Sequence, residues 1–240
     1  MIDYDSRLVD LYDEDNPDGP DHDFYRVLAD ERQPESVLDL GCGTGILTVT
    51  FVRDGRTVVG VDPSAGMVTY ARRRPGASSV TWILGDSRSI PDIRFDYAVM
   101  TGNVVQHILD PDWERTLRDV RSSLAAGGTL AFESRNPSAR AWEEWGSGAR
   151  TTRETPRGAL VEWADVRELS AGVVEIAFHN LFFEANETVT ETLCLAFRER
   201  NCLEDQLRDA GFEVEAVYGD WQRSPFTAQS PLMVFVARAR

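Results

Sequence analysis

Short apolar runs alternate along this chain with apolar positions spaced by three and four. Runs at 37–40, 57–61, 80–84, 95–100 and 129–133 are bounded by glycine, proline or acidic residues and read as buried strands. Two more follow at 212–218 and 232–237. Helices are predicted between them. One covers 44–54, with Leu47 and Phe51 inward and Gly55 as its stop. Another starts at the cap Ser64. A third opens at Asp110-Pro111, aligns Trp113, Leu117, Val120 and Leu124 on one face, and ends at Gly127-Gly128. Asn201 and Glu204 resemble a capping box for a helix with Leu203, Leu207 and Ala210 inward. Ahead of the first strand, the turn-rich 15–20 separates a short helix from one that runs to about residue 32. Between about 158 and 197 the period changes to two. Val174, Ile176, Phe178 and Phe182 alternate with polar neighbours, as do Val189, Leu193, Leu195 and Phe197. This predicts three antiparallel strands inserted after strand five.

The stretch Val37-Leu38-Asp39-Leu40-Gly41-Cys42-Gly43-Thr44-Gly45 carries the first chemical signal. A buried strand stops at a tight turn, and glycine lets a ligand lie against the backbone. The N–H groups of the helix start beyond it are predicted to be open to that ligand. A dinucleotide fingerprint needs glycines at positions 1, 3 and 6 of the turn, and position 6 here is Ile46. The Gly-Lys-Ser/Thr of a phosphate loop is absent. A glycine turn without a ligand remains the plainer alternative. Asp62 lies at the end of strand two, about 20 residues past the glycines, where a carboxylate accepts from ribose hydroxyls. Its alternative is a cap for the helix at Ser64. Met67 either packs on an adenine ring or is simple core.

Asp39, Gly41, Gly43 and Gly45 resemble motif I of the class I S-adenosylmethionine-dependent methyltransferases. So do Gly85-Asp86 after strand three, the Phe-Asp-Tyr start at Phe95, and Leu124-Ala-Ala-Gly-Gly-Thr-Leu, where Ala126 stands in place of a frequent Pro. The likeness covers about 35–135 well and the last forty residues loosely. It implies a Rossmann-like, doubly wound seven-stranded α/β sheet, six strands parallel and the seventh antiparallel, with the small antiparallel β insertion covering the crevice. The implied cofactor is S-adenosyl-L-methionine, with S-adenosyl-L-homocysteine as product. Asp86 then meets the adenine amino group. Cys42, Pro63 and Ser87, beside the motif positions, join the cofactor contacts. Thr101, Gly102 and Asn103, after strand four, line the methionine portion. The N-terminal helical segment, 1–34, folds over the cofactor, so Tyr12 and Tyr25 face the site or pin that lid to the core. The segment 146–199 is the substrate lid. The absence of Asn-Pro-Pro-Tyr after strand four argues against the adenine-N6 and glutamine branches, and the lack of a carboxylate there argues against the metal-dependent catechol type.

Composition narrows the substrate. With 240 residues, 42% hydrophobic, the chain suits one domain. No apolar run reaches membrane-spanning length. Met1-Ile2-Asp3-Tyr4-Asp5 lacks the build of a signal peptide. Cys42, Cys194 and Cys202 form no metal spacing and fit a reducing cytoplasm. A net charge of −15 disfavours a nucleic-acid partner. Arg72-Arg73-Arg74 reads as the solvated last turn of a helix.

The expected reaction is methyl transfer to an O or N nucleophile of a small molecule. Methylation of tRNA or protein is the alternative within enzymes, and a cofactor-binding protein without catalysis is the alternative outside them. A homodimer is compatible with either. Of three histidines, His107 follows strand four, where the methyl should emerge, and is the candidate base. His179, in the inserted sheet, is a second candidate on the substrate side, and His22 is left as surface. Arg135, at the tip of strand five beside Asn136, either clamps a substrate anion or pairs with Glu133 or another acid. No metal site is expected.

Overall fold

The structure, a computed structural model, describes residues 4–240. Its helices are α1 (Ser6–Asp15), α2 (Pro20–Arg32), α3 (Ala65–Ala71), α4 (Val104–His107), α5 (Asp112–Ser123), α6 (Ala141–Trp145) and α7 (Arg200–Asp209). Its strands are β1 (Ser36–Leu40), β2 (Thr57–Asp62), β3 (Thr81–Leu84), β4 (Phe95–Met100), β5 (Leu124–Arg135), β6 (Thr151–Thr155), β7 (Gly158–Ser170), β8 (Val173–Phe182), β9 (Glu187–Ala196), β10 (Phe212–Tyr218) and β11 (Leu232–Ala239).

Seven strands form the main sheet in the order β10-β11-β5-β4-β1-β2-β3. All pairings from β3 to β5 are parallel, and β11 lies antiparallel between β5 and β10. This is the doubly wound Rossmann-like sheet that the resemblance implies. Side chains alternate across each strand, which sends Leu38 and Leu40 into one core with Trp113, Leu117, Leu203 and Leu207 of α5 and α7. Val37 joins the other core, with Phe24, Tyr25 and Leu28 of α2. The strand order reverses between β1 and β4, so the crevice for a ligand opens beyond their carboxyl ends.

The insertion after β5 is a separate sheet in the order β6-β7-β8-β9, antiparallel throughout. It has four strands where three are expected. The extra one, β6, has no apolar residue, so its sequence gives no alternation to read. It is joined to β7 by a turn in which Thr155 Oγ1 donates to Gly158 O at 2.7 Å.

Two further expectations change. The helix expected over 44–54 shrinks to one 3-10 turn, Thr48–Phe51. Thr48 and Thr50 give their hydroxyls to Asp39 and to Leu47 O, local bonds that compete with a helix. Asn201 sits inside α7, where its Oδ1 accepts from Cys202 N, and Glu204 pairs with Arg200 instead of closing a capping box.

The first three residues of the 1–34 segment lie outside the described residues. From Ser6 on, α1 bridges the two sheets. Leu11 packs with Leu160 and Phe182 of the inserted sheet, and Arg7, Asp10 and Asp15 pair with Glu187, Arg157 and Arg153. On its other side, Asp13 accepts from Thr44 Oγ1 at 2.6 Å and pairs with Arg74. Arg74 is therefore no solvated end of a basic turn: its side chain is 16% exposed and also donates to Thr44 O. His22 is likewise buried, 3.0 Å from Asp18. Among the described residues, no helix is long and apolar enough to cross a membrane. Replacing Asp13 with Ala removes both polar ties of α1 to the glycine turn. Amide exchange in α1 is expected to accelerate about ten- to hundredfold, with exchange in the central strands unchanged, as read by mass spectrometry.

Candidate functional site

Three carboxylates end strands of the main sheet at the crevice. Asp39 is 1% exposed; its Oδ2 accepts from Thr48 Oγ1 at 2.6 Å, and its Oδ1 is buried with no partner. Asp62 is buried and accepts from Gly43 N and Ser64 N, both at 2.8 Å. Glu133, 3% exposed, accepts from the Tyr25 hydroxyl and from Asn103 N. Burial pushes the Asp39 carboxyl up to about 7, against the pull of Thr48. Burial does the same to Glu133, also to about 7, against its two hydrogen bonds.

The glycine turn divides its work. A Cβ on Gly41 would lie 2.4 Å from Val104 Cγ2, and one on Gly45 would lie 2.4 Å from the Trp82 ring. These two glycines serve packing. Only Gly43, at φ +53, has open space beside it, its nearest neighbour being Tyr12 Cε1 at 4.0 Å. The turn's amides are spent on the protein. Gly41 N and Cys42 N donate to Val61 O, Gly43 N to Asp62 and Gly45 N to Cys42 O. These four amides are not donors for a ligand; the expectation for open N–H groups concerns the residues from Thr44 on, where the next helix is predicted to start.

Tyr12 lies over Gly43, and burial followed by Asp62, Asp13 and Glu133 pushes its pKa up to about 12. Tyr4 stacks edge-on with it at 6.4 Å. Asn103, at φ 58, has its amide on Glu133 and its Oδ1 buried without a partner. Thr101 and Gly102 stand beside it, and a Cβ on Gly102 would meet nothing within 4 Å. Pro63 is half-buried at the tip of β2.

Other expected contacts are turned elsewhere. Tyr25 is fully buried and supports Glu133 from beneath instead of covering the crevice. The Cys42 side chain packs towards Gly60, whose Cβ would lie 3.1 Å from Sγ. Met67 is 2% exposed on the inner side of α3, which makes it core. Asp86 caps Arg88 N, pairs with Arg88 and lies 3.8 Å from Arg115, and Arg88 holds its carboxyl below the usual range. Ser87 is buried against Asp119, at 2.6 Å.

On the acceptor side, Arg135 Nη1 donates to Gln106 Oε1 at 3.1 Å, and its guanidinium lies 4.9 Å from the Trp145 ring centroid. Among the described residues it forms no ion pair, so the expected pairing with Glu133 is replaced by an amide and a ring. His107 stands close enough to Arg135 to feel its charge. Solvent reaches part of His107, yet protein crowds the ring, and this desolvation, followed by Arg135, pushes its pKa down to about 4. Asn136 is structural: Nδ2 donates to Ala228 O and Ser230 O and Oδ1 accepts from Ser138 N. His179 is on the wrong face. The buried face of β8 carries Val174, Ile176 and Phe182, so His179, of opposite parity, lies on the outer face. There it stacks on Trp163 and bonds Thr190 and Asp165.

Sequence reasoning passed over Glu133, Gln106 and Glu191. Glu133 carries the same signature as Asp39 and Asp62, an acid ending an apolar strand. Glu191 breaks the apolar parity of Val189, Leu193 and Leu195, and its Oε1 is buried without a partner. Gln106 gives no such signal; it is fully buried and its Nε2 has no partner.

The buried, unpartnered acceptors Asp39 Oδ1 and Asn103 Oδ1 fit a ligand that brings N–H donors. The open space over Gly43 fits a ligand lying across the turn. Among the described residues no cluster could hold a metal ion.

Residues 37–128 match a family model described as a methyltransferase domain. A 37.1 kDa protein in transposon TN4556 of Streptomyces fradiae is 41% identical over 110 residues, covering 43% of this chain and 31% of that protein. The cypemycin N-terminal methyltransferase of a Streptomyces species is 27% identical over 217 residues, covering 84% of this chain and 82% of that protein. The first curated relatives are matched over only 31% to 65% of their own length. The solved CcbJ methyltransferase of Streptomyces caelestis superposes with a TM-score of 0.79 at 23% identity, over 98% of this chain and 99% of that one, and so shares the fold. Family match and fold agree: residues 37–128 match the methyltransferase domain, and the whole chain shares the fold of a solved methyltransferase.

Proposed function

We propose that the chain methylates an N or O nucleophile of a small molecule in the cytoplasm. The observations that carry this reading are the orphaned acceptors, Asp39 Oδ1 and Asn103 Oδ1, together with the open space over Gly43. A nitrogen nucleophile gains support from the cypemycin N-terminal methyltransferase, matched along most of its length.

Bound S-adenosylmethionine supplies a methyl already activated by its sulfonium. Asp39 and Asn103 receive the ammonium of its methionine portion, a charge-assisted contact. Asp62, at the tip of β2, is the acceptor for ribose hydroxyls. Tyr12, with the rest of α1, covers the cofactor, and the inserted sheet closes over the acceptor; together they exclude water and align the nucleophile, which supplies most of the rate. His107 is unprotonated throughout the neutral range and offers a ring nitrogen to the nucleophile's proton. Arg135, a half-buried cation that forms no salt bridge among the described residues, receives an anionic group of the acceptor.

Calorimetry with S-adenosylhomocysteine tests the cofactor assignment. Heat is expected, and none with a nicotinamide dinucleotide; the reverse would sink the reading. Affinity should rise as pH climbs through about 7. There Asp39 and Glu133 lose the protons that burial keeps on them, and the ammonium prefers the ionised acid. Asp39→Asn should weaken binding by about tenfold or more and flatten this pH dependence.

Amines, phenols and carboxylates screened with labelled cofactor would give the acceptor. With any acceptor so found, His107→Gln should lower kcat by about a hundredfold or more while S-adenosylhomocysteine affinity stays within about threefold. Unchanged turnover removes His107 from the mechanism. Arg135→Ala should raise KM for anionic acceptors alone; equal KM values across neutral and anionic acceptors would reject the clamp.

A further inference from the structure

Both stems of the inserted sheet grip one short turn. The chain leaves the main sheet at Arg135 and comes back from β9 through Arg198. Arg135 holds Gln106 Oε1 through Nη1 at 3.1 Å and, more loosely, through its own N–H at 3.4 Å. Arg198 Nη1 donates to Val105 O at 3.0 Å, and its Nη2 donates to Ile108 O at 2.7 Å and to Asp110 Oδ1 at 3.0 Å. The residues held are Val105, Gln106 and Ile108. They bracket His107.

The chemistry explains the choice of arginine. α4 is a single turn of four residues, and the last carbonyls of a helix have no partner within it. A guanidinium fork can serve two of them at once, which an ammonium on a flexible stem does less well. The arrangement is costly. Arg198 is 7% exposed, its Nε is buried without a partner, and the carboxylate it pairs with, Asp110, has a side chain 58% exposed. Its guanidinium lies 5.3 Å from the Trp113 ring centroid. An apolar side chain would fill that place without burying a charge. What it would not do is hold the two carbonyls on either side of His107.

We propose that Arg198 is a positioning residue: it fixes the turn that sets His107 beside Arg135, and it couples the seating of the inserted sheet to that ring. The proposal rests on His107 being the side chain presented to the transferred methyl. It concerns how the ring is held, so it is tested without any acceptor.

The test is an NMR titration of the three histidine imidazoles in the full chain, assigned with His22→Gln and His179→Gln. His107 should titrate at about 4 in the unaltered protein. In Arg198→Met its titration should move up by one unit or more, as the loosened turn carries the ring away from the protein that crowds it and from Arg135. Arg198→Lys should give a smaller shift. Millimolar methylguanidinium should restore the low value in Arg198→Ala and leave the unaltered protein as it was. S-adenosylhomocysteine affinity should stay within about threefold in each variant, since Asp39 and Asn103 are held by other groups. An unshifted His107 in a variant that still binds S-adenosylhomocysteine overturns the proposal. A shift that comes with loss of that affinity also overturns it, because Arg198 then supports the whole crevice. If Arg198→Met fails to fold, Arg198→Lys decides by the same criteria. A neutral His107→Gln in turnover would remove the base assignment and leave the titration result standing, so the two failures are distinguishable.

Discussion

Buried acids at strand ends are the constraint around which this crevice is arranged. A carboxylate removed from water must find donors or keep its proton. Asp39, Asp62 and Glu133 stand at the tips of β1, β2 and β5, and each draws its donors from a different part of the chain. Thr48 comes from the 3-10 turn, Gly43 and Ser64 from the loops after β1 and β2, Tyr25 from α2, and Asn103 from the turn after β4. The demand is met for Asp62 and Glu133. It is half met for Asp39, whose Oδ1 is left without a donor. A folded chain tolerates such an atom when a ligand completes it, and four residues further along the chain Gly43 is the glycine of the turn with room above it.

The same constraint ties the covering elements to the sheet. Asp13 takes Thr44 and Arg74, so α1 cannot lift without exposing two polar contacts next to the glycine turn. The apolar cluster of Leu11, Leu160 and Phe182 joins α1 to the inserted sheet. Its three ion pairs, at half-exposed side chains, add little by comparison. The N-terminal helix and the inserted sheet thus share one joint.

Much of this was legible in the chain. Periodicity located every strand of the main sheet and three of the four inserted ones. Strand-end acids and the glycine turn located the crevice. The losses have particular causes. Thr151–Thr155 carries no apolar residue, so nothing in its pattern separates it from a loop. Gly41 and Gly45 look like Gly43 in sequence, and only the positions of Val104 and Trp82 reveal that they serve packing. Asp86 sits two residues from Arg88, a local pair whose competition for its carboxylate a motif does not register. Asn136 is held by carbonyls ninety residues away in the chain. His179 is different, since its parity was readable: it follows Phe178 by one residue and belongs to the outward set.

That parity bears on how such a protein can change over time. Inward positions of β8, Ile176, Phe178 and Asn180 among them, can be exchanged one at a time while the outward stack of Arg150, Trp163 and His179 stays as it is. A single inserted or deleted residue within the strand would swap the two sets and lose both faces at once. Change is therefore open to point mutation within these strands and closed to indels, whose tolerated places are the hairpin tips.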